Sequence, residues 1–153
     1  MNNQHAELQY AILIAVEAHN GQVDKAGQPY ILHPLKVMHY TKSDDVKVLC
    51  TAVLHDAVED NKNITFQYLR DQKISEVVIE AVRALTKMPG QSYEEYKAAV
   101  KANSIARKVK MADLRHNSDI RRLKGVSEKD IERIARYQKF YMELQGIENA
   151  EKN

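Results

Sequence analysis

Apolar residues recur along most of this chain at the three- and four-residue spacing of amphipathic helices. Short polar stretches containing glycine, proline or asparagine separate these segments. No stretch shows the convincing alternation of apolar and polar residues expected of a strand. The pattern therefore predicts an all-α fold. The expected inner faces are Leu8, Ile12, Ala15, Val16 and His19 in the first helix; Val78, Ile79, Val82 and Leu85 in a central helix; Ile105, Val109, Ala112 and Asp113 in a later one; and Ile131, Ile134, Tyr137, Tyr141 and Leu144 in the last.

Polar residues mark where the helices begin and end. The first helix is expected to end near Gly21, and a loop then covers residues 21–33. A second helix should run from Pro34 to about Thr41. The expected helix caps are Ser43 to Asp45, Thr65, Ser75, Asn103 or Ser104, and the capping boxes Ser92 with Glu95 and Ser127 with Asp130. A single domain is expected over residues 1–153, with a frayed polar tail at 146–153.

Length and composition restrict the class of protein. A chain of 153 residues is the size of one domain, and its 44% hydrophobic and 29% charged residues predict a soluble globular fold. A formal net charge of +2 is too small to indicate nucleic-acid binding through bulk electrostatics. The N-terminus lacks the features of a signal peptide and no apolar stretch is long enough to span a membrane, so we expect a cytoplasmic protein without membrane contact. Its single cysteine, Cys50, lies among apolar residues and is expected to be a buried structural thiol.

The segment from His55 to Asp60 carries the most informative chemistry in the chain. It places a histidine and three carboxylates within six residues, directly after the apolar run 46–54. Residues four apart share one face of a helix, which would place His55 beside Glu59. In the same way, Asp56 would lie beside Asp60. Buried carboxylates are costly unless they are paired or bind a cation. The segment therefore indicates a metal site, with a solvated helix end as the alternative.

Two other segments supply further metal-ligating side chains. His33 stands directly before Pro34, in the expected first turn of the second helix. Asp113 and Asn117 are four residues apart on a later helix. With the His55–Asp56 doublet, these segments give two nitrogen and two oxygen ligands. Such a mixed set suits manganese, iron or zinc better than calcium or magnesium.

Each of these side chains also has an ordinary structural alternative. His33 could donate a hydrogen bond to a backbone carbonyl instead of binding a metal. Asp113 could be a surface partner for one of its basic neighbours, Arg107, Lys110 or Arg115. The residues alone leave both alternatives open.

Four motifs follow one another along the chain. They are Gly21-Gln22, the segment from Gly27 to Pro34, the His-Asp-x-x-Glu-Asp segment 55–60, and Lys110-x-Ala112-Asp113-x-x-x-Asn117. Together they resemble the hydrolase domain of the RelA/SpoT-type alarmone enzymes, within the HD superfamily. The resemblance covers roughly residues 6–145 and implies a single helical HD domain. The sequence shows no nucleotide-synthetase motifs, so we expect the chain to resemble the stand-alone small alarmone hydrolases more than the long bifunctional enzymes.

This resemblance implies a role for each residue of the metal site. It assigns one metal ion, usually manganese, to His33, His55, Asp56 and Asp113. Glu59 and Asp60 would not ligate the metal. They would instead orient or deprotonate the attacking water, since a carboxylate within hydrogen-bond reach can accept its proton.

The resemblance also implies contacts with the substrate. Asn117 would contact the ribose, and Arg133 and Tyr137 fall in register with substrate-pocket positions on the last helix. Lys25, in the loop before His33, could meet phosphate oxygens. Two of these residues have structural alternatives, because Tyr137 also fits the apolar face of its helix and Lys25 could be an exposed lysine without a role.

Asp24 is the position at which the chain departs from this family, which usually carries an arginine that contacts the nucleobase there. An aspartate cannot stack as a guanidinium does, and it would repel nearby phosphate. It could instead accept hydrogen bonds from an exocyclic amine or a ring N–H of the base. The departure leaves open whether the base is guanine or adenine, but it does not affect the phosphate chemistry.

The expected protein is an enzyme whose partner is a small nucleotide. It would be a manganese-dependent hydrolase that removes the 3′-pyrophosphate of (p)ppGpp or a relative such as (p)ppApp. An alternative within the enzyme class is an HD-type phosphatase acting on NADPH or a nucleoside monophosphate. The alternative from another class is a module that senses a nucleotide without turnover. Asp24 supports that alternative, whereas the complete ligand set and the Glu59–Asp60 pair argue against it.

Overall fold

The computed structural model describes the backbone of residues 3–153 and the side chains from residue 5 onward. Within this range the chain forms helices and no strand, apart from an isolated antiparallel bridge between Val23 and Pro29. The helices are α1 (Asn3–Ala18), α2 (Leu32–Tyr40), α3 (Val46–Leu54), α4 (Ala57–Asp60), α5 (Phe66–Asp71), α6 (Glu76–Leu85), α7 (Tyr93–Lys101), α8 (Ser104–Asn117) and α9 (Glu128–Glu151), with a 3-10 helix at Ile120–Arg122. The predicted all-α fold is confirmed. None of the described helices is long and apolar enough to cross a membrane.

Helix α3 lies at the centre of the fold. It packs against α1, α2, α6 and α8, and its residues from Cys50 to Leu54 are all buried. A helix that is apolar on every side must be covered on every side. One apolar cluster joins α3 to α1, α5 and α6, and a second joins it to α2, α7, α8 and α9. As a result α2, α3 and α8 lie side by side, and each brings chemistry-bearing residues to one end of the bundle.

Cys50 has no exposed surface. Burial raises the pKa of its thiol to about 12. A thiol in this state is a poor nucleophile, because the thiolate is the reactive form. The predicted burial of Cys50 is therefore confirmed.

Side chains cap several helices where the sequence predicts it. Asp45, Thr65 and Asn103 accept hydrogen bonds from backbone N–H groups at the starts of α3, α5 and α8. Both predicted capping boxes form, at Ser92 for α7 and at Ser127 for α9. These local signals fix the starts of the helices independently of the core.

Ser75 precedes α6 as expected, but its side chain makes no capping bond. A buried carboxylate from α1 takes its place, because the N–H of Ser75 donates to Glu7 Oε1 at 2.8 Å. Lys47 Nζ lies 2.6 Å from Glu7 Oε2 and also donates to Ser75 Oγ at 3.0 Å. Glu7 thus joins α1 to the starts of α3 and α6.

The buried faces of α1 and α9 differ from the predicted ones. Val16 is half exposed, and Ile131 near the start of α9 is also exposed. Phe140 joins the predicted Leu144 in the core. Small side chains let α1 approach α3 closely, since the distance between packed helices depends on the residues at their contact. The core side of α1 consists of Ala11, Ile14, Ala15 and Ala18.

The predicted fraying of residues 146–153 is wrong as far as Glu151, where α9 ends. Arg107 on α8 is buried and holds this segment through two ion pairs. Its Nε donates to Glu148 at 2.8 Å, and its Nη2 donates to Glu151 at 2.6 Å. A polar tail is expected to fray only when its charged side chains have no buried partner. Here Arg107 on α8 is that partner.

Candidate metal centre and adjoining cavity

The four predicted ligands meet at one point, although they come from three parts of the chain. His33 lies on α2, Asp113 lies on α8, and the His55–Asp56 doublet lies between α3 and α4. One ligand atom of each residue lies within 4.8 Å of the others. Asp113 Oδ1 is 2.9 Å from His33 Nε2 and 3.3 Å from His55 Nε2. Asp56 Oδ2 is 3.0 Å from His55 Nε2 and 3.7 Å from His33 Nε2.

A break in the helix allows two adjacent residues to serve the same cluster. The sequence predicts a continuous helix up to Asp60, and this is wrong, because α3 ends at Leu54. His55 keeps helical dihedral angles, whereas Asp56 has φ −106° and ψ −2° and turns the chain before α4 begins. Neighbouring side chains on an unbroken helix point about 100° apart. The turn at Asp56 brings its carboxylate back to the side of His55 Nε2.

His55 is oriented as a metal ligand. Its side chain is buried, and its Nδ1 lies 2.7 Å from the carbonyl oxygen of Ala52. A carbonyl only accepts hydrogen bonds, so Nδ1 carries the hydrogen and Nε2 presents its lone pair to the cluster. Nε2 is buried and has no hydrogen-bond partner among the described residues. A buried lone pair facing two carboxylates is costly unless a cation lies between them.

His33 is held from its other side by His116. Their Nδ1 atoms are 2.7 Å apart, and the two rings are stacked. Burial and the charge of Arg122 lower the pKa of His116 to about 4, so His116 is neutral near pH 7. Its Nδ1 can therefore accept the hydrogen of His33 Nδ1, which leaves the lone pair of His33 Nε2 free for a metal. The alternative role considered for His33 was a hydrogen bond to a backbone carbonyl. In the structure it is His55 that makes such a bond, to the carbonyl of Ala52.

Further contacts hold the two carboxylates. Tyr30 Oη donates to Asp56 Oδ2 at 2.6 Å. Burial and the charge of Asp56 raise the pKa of Tyr30, so the phenol stays protonated as a donor. Asp113 accepts a hydrogen bond from Lys110 Nζ on Oδ2 at 2.9 Å, and one from Asn117 Nδ2 on Oδ1 at 3.0 Å. Such outer contacts orient the ligands of a metal site.

The donor set fits a divalent metal ion. Two imidazole nitrogens and two carboxylate oxygens face each other within metal-binding reach. Burial alone lowers the pKa of His55, but the charges of Asp56 and Asp113 outweigh it and raise the pKa well above its usual range. The cluster thus attracts positive charge, which a proton or a metal ion can supply. Mixed nitrogen and oxygen ligands are typical of manganese, iron and zinc sites.

Glu59 and Asp60 lie on α4 and are more exposed than the four ligands. Burial and the charge of Asp56 raise the pKa of Glu59, whose Oε1 accepts a hydrogen bond from the N–H of Lys87 at 3.2 Å. Burial also raises the pKa of Asp60, whose Oδ2 accepts a hydrogen bond from Gln22 Nε2 at 3.0 Å. A carboxylate with a raised pKa is a stronger base, which suits it to accept a proton.

A cavity of about 290 Å³ adjoins the cluster. Tyr30 and Asn117 line it, and each donates a hydrogen bond to one of the ligand carboxylates. Glu59 and Asp60 are not among its lining residues. A molecule in this cavity would lie next to the metal centre. All five residues predicted to bind substrate line the cavity, namely Asp24, Lys25, Asn117, Arg133 and Tyr137.

Asp24 is in the cavity wall, but its carboxylate already has partners. Oδ1 accepts hydrogen bonds from the N–H groups of Ala26 and Gln28, both at 2.9 Å. These bonds form the local turn that aspartate favours in loops. Oδ2 faces Arg122 Nη2 at 3.6 Å. The negative charge that distinguishes this chain at Asp24 is therefore balanced by a nearby arginine.

Several residues of the site were not predicted from the sequence. The missed residues are Gln22, Tyr30, His116 and Arg122. Three of them lie inside the motifs that were recognised, and their polar character in those motifs was a usable signal. Arg122 lies outside every motif, and helical periodicity gives no reason to select it.

Comparisons with known proteins show which family and which relatives the sequence is similar to. The sequence matches the model of the family described as the HD domain over residues 11–136. It is 33% identical over 103 residues to the bifunctional (p)ppGpp synthase/hydrolase SpoT of Escherichia coli, covering 66% of this chain and 14% of that protein. It is 35% identical over 98 residues to the guanosine-3′,5′-bis(diphosphate) 3′-pyrophosphohydrolase of Aquifex aeolicus, covering 62% of this chain and 14% of that protein. The chain thus spans a small part of these relatives.

A solved structure shares the fold. It is that of a metazoan ortholog of SpoT that hydrolyzes ppGpp and plays a role in starvation responses. The two structures superpose with a TM-score of 0.72 at 22% sequence identity, covering 91% of this chain and 85% of the other. At this identity the likeness establishes the fold.

Proposed function

Because the chain belongs to the HD domain family, we propose that it is a metal-dependent hydrolase of alarmone nucleotides. It would remove the 3′-pyrophosphate from guanosine 3′,5′-bis(diphosphate) or a related alarmone such as (p)ppApp. The products would be a nucleoside 5′-diphosphate or 5′-triphosphate and pyrophosphate. The observation that carries this proposal is the cluster of two imidazoles and two carboxylates beside a cavity lined by cationic side chains. The names of the curated relatives from Escherichia coli and Aquifex aeolicus support it.

Manganese is the proposed metal, and the residues that would hold it are His33, His55, Asp56 and Asp113. When bound, such an ion acidifies water and offsets the negative charge of phosphate. The chain's own contribution is to hold the ligand side chains in fixed orientations. Ala52 and His116 hold the imidazoles with Nε2 directed inward, and Tyr30 and Lys110 hold the carboxylates.

In the proposed reaction, a water oxygen attacks the phosphorus that is bonded to the ribose 3′-oxygen. A new phosphorus–oxygen bond forms, and the bond between phosphorus and the 3′-oxygen breaks. The 3′-oxygen leaves and takes up a proton from solvent to become the ribose hydroxyl, and pyrophosphate is the second product. Glu59, with Asp60 beside it, accepts the proton that the water loses, as their raised pKa values favour.

The cavity residues are suited to hold the nucleotide. The amide of Asn117 is fixed by Asp113, so it can present hydrogen bonds to the ribose in a defined direction. Lys25 and Arg133 place positive charge where phosphates carry negative charge. Tyr137 lines the cavity with an aromatic ring, which favours this role over that of a purely core residue.

The test is to measure pyrophosphate release by the purified protein with added Mn²⁺ over a panel of nucleotides. The panel contains ppGpp, ppApp, NADPH and a nucleoside monophosphate. We expect pyrophosphate from the alarmones. Release of inorganic phosphate from NADPH or the monophosphate alone would replace the proposed reaction with the other HD-type activity. Tight binding of ppGpp without any product would identify a sensing module instead.

A matched pair of variants makes this test specific. Asp113→Asn removes a ligand charge and should abolish both product formation and Mn²⁺ binding. Asp71→Asn removes the same charge from an exposed position on α5 and should leave both unchanged. If the two variants were equally active, the hydrolysis would not depend on the proposed metal centre.

A further inference from the structure

Arg122 lies in the wall between two cavities. One is the cavity of about 290 Å³ beside the metal centre. The other has a volume of about 560 Å³ and lies against α2 and the loop before it. Asp24, Ala26 and Arg122 line both. A ligand in either cavity would therefore lie next to Arg122.

The structure fixes one half of this guanidinium. Nη1 donates to the backbone carbonyl of His116 at 3.1 Å and to Asn117 Oδ1 at 3.0 Å. Both acceptors lie at the C-terminal end of α8, where the helix dipole favours a cation. Asn117 in turn donates to Asp113 at 3.0 Å. Arg122 is thereby connected, through one amide, to a residue of the metal centre.

The other half of the guanidinium is uncommitted. Among residues 5–153, Nε makes no hydrogen bond, and Nη2 has only the 3.6 Å approach to Asp24 Oδ2. That distance is too long for a hydrogen bond. The parallel N–H groups of Nε and Nη2 form the fork with which arginine binds phosphate through two bonds.

The neighbouring arginines do not offer this arrangement. Arg133 also lines the smaller cavity, but its Nη2 donates to Asp130 at 2.5 Å. Arg121 is bound to Asp119 through both Nε and Nη2, and it points into solvent. Of the arginines on this side of the described molecule, Arg122 therefore has its fork available at the cavity wall.

We propose that Arg122 binds a phosphate group of the nucleotide through its Nε–Nη2 edge, and that Asp24 holds this edge toward the cavity until the phosphate takes its place. The inference rests on the proposed function insofar as the ligand is a phosphorylated nucleotide. Two charge-assisted hydrogen bonds to phosphate replace one long ion contact, so the exchange is favourable. The bonds to His116 and Asn117 are kept during the exchange. Asp24 then acts as a counter-charge for the free protein and not as a partner of the nucleobase.

The test compares two nucleotides that differ only in phosphate. Binding of GDP and of guanosine to the Mn²⁺-loaded protein is measured by calorimetry for wild type, Arg122→Ala and Arg121→Ala. The last variant removes the same charge one residue away. We expect Arg122→Ala to weaken GDP binding by roughly 10- to 100-fold, the usual worth of hydrogen bonds to a charged group. Guanosine binding should stay the same, and Arg121→Ala should bind both as wild type does.

Three results would overturn the inference. An equal loss of GDP and guanosine binding in Arg122→Ala would show that Arg122 serves only to position Asn117. If Arg121→Ala lost GDP binding to the same extent, the effect would come from bulk charge. If wild type bound GDP no more tightly than guanosine, the protein would have no phosphate site at this place. The Mn²⁺ content and unfolding midpoint of every variant are measured alongside, and Arg122→Gln replaces Arg122→Ala if the latter does not fold. Because the assay measures binding, alarmone hydrolysis can fail while the Arg122 result stands, and the reverse.

Discussion

Lys110 and Asp113 lie one helical turn apart on α8 and form a partly buried ion pair, with Nζ 2.9 Å from Oδ2. Asp113 therefore has the basic partner that the sequence suggested as an alternative to metal binding, but the pair leaves Oδ1 facing His33. The other two basic residues considered there are engaged elsewhere. Arg107 pairs with the end of α9, and the guanidinium of Arg115 lies 4.1 Å from the ring centre of a tyrosine. Pairing with Lys110 and metal binding thus use different oxygens of one carboxylate.

Replacing Lys110 with Met should destabilise the metal-free protein, because it removes the lysine cation that pairs with the buried charge of Asp113. The expected loss in the free energy of unfolding is about 3 kcal/mol, the usual scale for breaking a buried pair. Urea unfolding in EDTA measures it, and added Mn²⁺ should restore part of it. Lys108→Met on the exposed side of α8 is the control and should change little. Equal losses for both variants would show that the pair is not responsible.

Replacing Asp56 with Ala should remove bound metal and activity together, because it deletes one of the four ligands. The measurement is the Mn²⁺ content after dialysis, with circular dichroism to confirm that the helices remain. Asp44→Ala changes an exposed carboxylate in the loop before α3 and should keep its metal. Undiminished Mn²⁺ in a folded Asp56→Ala protein would remove Asp56 from the proposed site.

Glu59→Gln should keep metal and substrate while losing rate, since an amide cannot accept the proton from water. We expect kcat to fall on the order of 10²-fold or more, the usual scale of general-base catalysis. Glu94→Gln, on an exposed turn of α7, should match wild type. If Glu59→Gln turns over at the wild-type rate, the proton must go to Asp60 or directly to solvent.

Glu7 should make folding stability depend on pH. Burial alone raises its pKa, but hydrogen bonds from Lys47 and Ser75 outweigh this and lower the pKa below its usual value. A carboxyl whose pKa is lower in the folded state stabilises the protein above its unfolded pKa. This stability is lost as pH falls through the folded pKa. Wild type should therefore exceed Glu7→Gln at pH 7 by roughly 1.5–3 kcal/mol in the free energy of unfolding.

The difference between these two proteins should shrink as the pH falls below about 4, near the ordinary pKa of glutamate. Urea unfolding at several pH values measures it. Glu17→Gln, on the exposed side of α1, is the matched control and should follow wild type. A difference that stays constant with pH would assign the effect of Glu7 to shape and not to its charge.

Asp24→Asn tests whether the unusual aspartate reads the base. Asparagine keeps an oxygen for the N–H groups of Ala26 and Gln28, so the loop should persist. Because Oδ2 faces Arg122, we expect kcat/KM to change by the same factor for guanine and adenine substrates. A change in the ratio between the two substrates would instead place Asp24 against the nucleobase.

Local signals in the sequence predicted most of the helix starts. Asp45, Thr65 and Asn103 cap helices as expected, because a cap needs only a side-chain oxygen two or three residues before an N–H group. The orientation of α1 and the order of the last turns of α9 were not predictable in this way. They depend on the alanine face of α1 and on Arg107, and both act through contacts with distant residues.

The sequence by itself determined the fold class, the types of metal-binding residue and the short segments of the chain that carry them. Periodicity, capping and the order of motifs are local properties, and local properties can be taken from neighbouring residues. Only the tertiary structure decided that His33, His55 and Asp113 meet within 4.8 Å, because α2 and α8 must pack against α3 and each other to bring them together. The tertiary structure alone also placed Arg122 opposite Asp24. The two residues are far apart in the chain, so no local sequence pattern relates their positions.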